Sequence, residues 1–109
     1  MNPVELYEQI AIDFPPVWPE DHSWVNAHDG NSPKLDVLTN LLVQNIRSER
    51  VIAVVHSEPG VAAELPIGDI VDFIAPYVLQ AEIQVTDPSR TSYVAVLTNG
   101  VATGWSTPQ

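Results

Sequence analysis

Arg50-Val51-Ile52-Ala53-Val54-Val55-His56 is the stretch whose reading governs the rest of the chain. Its five interior residues are apolar without a break, and all but Ala53 are β-branched. Such a run is too short for a helix of its own and suits a strand covered on both faces. Ser57-Glu58-Pro59-Gly60 follows, with proline and glycine placed as a type II turn requires, so the chain is expected to reverse into a short strand, Val61 to Leu65. Pro66 then fits the first position of a helix that carries Ile67, Ile70, Val71 and Ile74 on one side and Asp69 and Asp72 on the other. Pro76 should end it near Ala75.

Downstream, Leu79, Ala81, Ile83 and Val85 alternate with Gln80, Glu82, Gln84 and Thr86, the period of a half-buried strand. Asp87-Pro88-Ser89-Arg90 turns the chain into a second strand over Thr91 to Thr98, and Asn99-Gly100 predicts a type I′ hairpin into a last strand, Val101 to Trp105. Upstream, Asn2-Pro3 opens a helix over about residues 3–13, which Pro15 and Pro16 stop. Residues 15–33 show neither period and read as a long loop. Ser32-Pro33 repeats the cap-plus-proline signal before Leu35, Leu38, Leu41, Leu42, Val43 and Ile46, a broad apolar face running through to Arg47. The order is ααββαβββ. It predicts an α+β fold: an antiparallel sheet of about five strands with helices packed on one face, residues 1–109 forming a single domain with a long N-terminal loop over an end or edge.

The chain has 109 residues, 45% of them hydrophobic and 17% charged, enough apolar surface to offset the entropy lost on folding. It contains no cysteine, which excludes a disulfide scaffold, thiolate metal sites and a cysteine nucleophile. Met1 to Phe14 carries Glu5, Glu8 and Asp13 and lacks the basic start of a secretory signal, and no apolar run is long enough to span a bilayer, so a cytoplasmic location is expected. Fourteen acids against Lys34, Arg47, Arg50 and Arg90 give a formal net charge of −10. Such a field repels phosphate backbones and anionic lipid, so neither nucleic acid nor membrane is expected as a direct partner, and a basic protein is. Acidity serving solubility alone is the plainer alternative.

Charge is unevenly distributed. Residues 1–33 hold six acids and no Lys or Arg, whereas residues 91–109 hold no charged side chain. A hairpin without Lys, Glu or proline is poorly defended as a sheet edge. Either one of its strands is therefore interior and the other capped by the Trp18/Trp24 loop, or the hairpin is an interface, a homodimeric sheet pairing or a docking edge for another protein.

Functional side chains concentrate in Trp18-Pro19-Glu20-Asp21-His22-Ser23-Trp24-Val25-Asn26-Ala27-His28-Asp29. A partner-binding loop would use Trp18 and Trp24 as anchors and Glu20, Asp21 and Asp29 as the attracting field; an ordered lid would bury the indoles instead. A divalent metal site needs ligands of this kind, but a loop lacks the fixed spacing of a helical His pair. His56 reads best as a strand-end histidine satisfied by its surroundings, and Ser57 lacks the glycine flanks of a nucleophile elbow. The pairs Glu5/Glu8 and Asp69/Asp72 suit solvated helix faces near positive helix ends. No residue stands out as catalytic and no cofactor is implied. The composition is shared with inhibitor and immunity-type proteins, which is analogy and identifies no residue. The leading expectation is a small acidic, non-enzymatic interaction protein that binds a basic protein surface. The alternative is a small enzyme or divalent-metal-binding domain using His22, His28, His56 and neighbouring carboxylates.

Overall fold

The computed structural model describes residues 4–6, 8–9, 24–30, 32–56, 60–89 and 91–106. They form an α+β fold with six strands: β1 (Val25–Asn26), β2 (Arg50–His56), β3 (Val61–Pro66), β4 (Glu82–Thr86), β5 (Ser92–Val96) and β6 (Val101–Ser106). Besides helical residues at 4–6 and 8–9, the described residues hold α1 (Leu35–Asn45) and α2 (Ile67–Ile74), the latter tightening into a 3-10 turn at Ala75–Tyr77. The strands lie in the order β1-β6-β5-β4-β2-β3, and every neighbouring pair is antiparallel.

The continuous apolar run of β2 is explained by burial on both faces. Val51, Ala53 and Val55 join Leu38, Leu42, Ile70 and Ile74 in the main core beneath the two helices. Val54 points the other way, into a second cluster with Tyr93 and Ala95, against which Leu6 and Ala62 pack. Residues 4–6 and 8–9 are helical, so Leu6 brings a helical segment to the face opposite α1 and α2.

The sixth strand is β1, two residues inside the segment read as loop, and two residues show no period. α1 starts at Leu35 with Lys34 as its N-cap, later than the Ser32-Pro33 signal suggested. Ser32 is engaged elsewhere: its N–H donates to Asp29 Oδ1 at 2.9 Å, and Pro33 bridges to His28. Leu79 and Ala81 do not begin a strand, because the chain still turns after the 3-10 segment, with Leu79 at φ 70°. The Asn99-Gly100 hairpin is not type I′. Gly100 alone is left-handed, at φ 85°, and its N–H donates to Leu97 C=O at 2.8 Å, a type I turn closed by a glycine bulge. The presumed type II turn at residues 57–59 lies outside the described residues.

Close packing of α1 on the sheet depends on Gly104, which pairs with Val94. A Cβ at Gly104 would run into the Asn45 side chain, whose Nδ2 donates to Leu41 C=O at 2.9 Å. Gly104→Ala is expected to cost about 1–2 kcal/mol in urea unfolding, because Asn45 must give up its position and its bond. Asn45→Ala in the same chain should recover most of that loss; equal penalties with and without Asn45 would refute the contact as the cause.

β3 is the outer strand on one side of the sheet. The bond from Ile67 N–H to Glu49 C=O, 2.8 Å, fixes the phase of the β2–β3 ladder, so Ala62 and Glu64 turn their backbone groups away from β2. Arg50 reaches across that edge. Its Nε pairs with Glu64 Oε2 at 2.8 Å, and its Nη2 donates to the Glu64 carbonyl at 3.3 Å.

Candidate functional site

The acidic, aromatic segment singled out in the sequence is partly visible. Trp18, Glu20, Asp21 and His22 lie outside the described residues. Trp24 is half-buried, and its buried indole N–H meets no acceptor among the described residues. Immediately after it, β1 pairs Val25 with Ala102 and Asn26 with Val101, which covers part of the outer side of β6; β5 is interior. The uncharged hairpin thus has β1 along its outer strand. Asp29 is exposed and tied into the turn that follows, accepting the Ser32 N–H.

The two described histidines are kept apart by the fold. His28 Nδ1 accepts the Gly30 N–H at 2.9 Å, and its ring lies where a Cβ on Gly100 would sit. His56 ends β2, opposite Glu82 on β4. Among the described residues no three His, Cys, Asp or Glu side chains converge as a metal ion would need.

The feature with the geometry of a site is on the helix layer. The apolar residues of α1 span about 240° of its circumference at about 100° per residue, far wider than one core-facing stripe. The core accepts Leu38, Leu42 and Ile46, with Val37 and Leu41 half-buried. Leu35 and Val43 are left over, 46% and 65% exposed. They stand on the α1 side of an open hollow of about 340 Å³ whose far wall is Ile67, Gly68, Val71 and Asp72 of α2. Thr39 lies between them, and its hydroxyl donates to Leu35 C=O at 2.8 Å, so it brings no unsatisfied polar group to the hollow. Nothing lies within 4 Å of the position a Gly68 Cβ would take. Asp36, Asp69 and Asp72 are exposed on the two helices, and Lys34 precedes α1, leaving these four groups net negative by two charges.

No family model, curated protein or solved structure gives a significant match to this chain. The groove must therefore be read from its own chemistry. It offers a largely apolar lining, with Asp72 its one charged residue. Its residues were present in the sequence as an unusually broad α1 stripe, but breadth alone does not say which members the core rejects.

Proposed function

We propose that this chain is a non-enzymatic interaction protein that acts in the cytoplasm by binding a basic protein surface. The supporting observation is the helix layer, where exposed Val43 and Leu35 border an apolar hollow that Asp72 also lines. Apolar contact supplies affinity in such an arrangement, burial of each partly exposed aliphatic side chain being worth about 1 kcal/mol. The carboxylates select the sign of the partner and speed its approach. Glu20, Asp21 and Asp29 add to the same field within a molecule of formal charge −10.

The test is the salt response of a partner captured from lysate and then purified. Its affinity is expected to weaken about tenfold or more between about 50 mM and 300 mM sodium chloride, as screening shortens the reach of the field. A response that is flat over that range rules out the electrostatic reading.

A further inference from the structure

We propose that Asn99-Gly100 is a site of covalent self-modification, gated by the closed β5–β6 turn, at which the Gly100 nitrogen displaces the Asn99 side-chain amide and the rearranged backbone releases β1 from β6.

The step needs only water and base. Hydroxide takes the Gly100 amide proton, and the nitrogen attacks Asn99 Cγ. A bond forms between that nitrogen and Cγ, the Cγ–Nδ2 bond breaks, and ammonia leaves with a proton from water, closing a succinimide ring. Water then opens the ring at either carbonyl. Opening at Cγ leaves an aspartate in an unchanged backbone, whereas opening at the α-carbonyl leaves an isoaspartyl link with an added methylene in the main chain. Water has replaced ammonia, and nothing is oxidised or reduced.

The residues suit this chemistry. No other asparagine in the chain precedes a glycine, and glycine leaves the attacking nitrogen without a side chain beside it. Asn99 is exposed, so base and water reach it. Its Oδ1 accepts the Val101 N–H at 3.1 Å, and that donor draws electron density from the carbonyl under attack. The electrophile is thus activated in the folded turn. The nucleophile is withheld: Gly100 N–H donates to Leu97 C=O at 2.8 Å, and a carbonyl is too weak a base to take the proton. That bond must open before the nitrogen can react, and Gly100 is buried beneath the His28 ring and Leu79, which resist the opening.

The two products differ in what they leave of the fold. Aspartate keeps an oxygen for the Val101 N–H and places a charge in residues 91–109, which otherwise have none. The isoaspartyl link lengthens a turn closed by Leu97 N–H to Val101 C=O and by Gly100 N–H to Leu97 C=O, so both bonds lose their register. Gly100 C=O also accepts the Ala27 N–H at 2.8 Å, the bond that continues the β1–β6 ladder. Displacing Gly100 therefore frees β1.

The experiment incubates the full chain in mildly alkaline buffer, folded and in guanidinium chloride beyond its unfolding transition. Peptide mass spectrometry follows the change of amide to acid at residue 99, with fragmentation that separates the isoaspartyl from the aspartyl product. The unfolded chain is expected to react at least about tenfold faster, because the folded chain reacts only while the turn is open. His28→Ala and Leu79→Ala each remove a side chain packed on Gly100. Both should quicken Gly100 amide exchange and deamidation by the same factor to within about twofold. Equal rates in the folded and unfolded chain, or exchange at Gly100 that quickens while deamidation does not, would overturn the gate. An unfolded chain that keeps its Asn99 amide would overturn the site itself.

The isoaspartyl form, separated by chromatography, should exchange its Ala27 amide at least about tenfold faster than the unmodified chain, and Asn99→Asp should match the unmodified chain there. Equal protection of Ala27 in all three would overturn the release of β1.

Discussion

Asp87→Ala is expected to lower the stability of the fold by about 3 kcal/mol. Asp87 is 8% exposed at the start of the β4–β5 turn, and its carboxylate is the hub of that turn. Oδ1 accepts the Thr91 N–H at 2.8 Å and the Ser92 N–H at 3.0 Å, and Oδ2 accepts the Thr91 hydroxyl at 2.8 Å. Ser92 is itself buried, so alanine would strand donors that water cannot reach. Burial alone would raise the Asp87 pKa, but the bonds from Thr91 and Ser92 outweigh it and hold the carboxyl below its ordinary range.

The sign of the pH dependence follows. A folded-state pKa below the unfolded value, about 3.9, gives stability that is complete above about pH 5 and disappears as pH falls through the folded pKa. Urea unfolding of the natural chain and of Asp87→Asn should therefore differ most near neutrality, and the gap should narrow below about pH 4. A gap that stays constant from pH 7 to about pH 2.5 would show that the charge on Asp87 contributes nothing.

The second large effect is expected at Gly100, where alanine should cost about 3 kcal/mol. Two penalties add at this position. The backbone is left-handed at φ 85°, worth about 1–2 kcal/mol to any residue with a Cβ. The new methyl would also strike the His28 ring and come within 2.9 Å of Leu79 Cδ2. Gly100 C=O accepts the Ala27 N–H at 2.8 Å, so the strain falls on the link that holds β1 against β6. Amide exchange at Ala27 should quicken more than exchange within β2. Adding His28→Ala should recover about half of the stability, leaving the backbone term behind. Complete recovery would exclude the φ penalty, and no recovery would exclude the steric one.

Much of this architecture was legible in the residues because its signals are local. The β2 run, the alternation from Ile83 to Thr86 and the prolines that bound α2 each decide an element within a few positions. What escaped reading depends on distant partners. Val25 and Asn26 become a strand only because β6 passes beside them. Leu79 looks like the first rung of an alternating strand, but the 3-10 turn after Ile74 holds it in a left-handed bend. Asn99 keeps an ordinary backbone because its side-chain Oδ1 accepts the Val101 N–H at 3.1 Å, leaving Gly100 to close the turn alone. The candidate site was hidden for the same reason. Leu35 and Val43 are indistinguishable in sequence from Leu38 and Leu42, and only the placement of α2 determines which of the four are left over.

Arg50 gives the outer strand a reversible guard where a proline or a bulge would give a permanent one. Its guanidinium occupies the Glu64 carbonyl by a weak 3.3 Å bond and is anchored by the stronger bond to the Glu64 carboxylate. Anything that competes for that guanidinium, such as concentrated phosphate, frees the Glu64 carbonyl to accept a bond from another chain. Access to this acceptor on the outer strand is thus set by the surrounding ions as much as by the backbone.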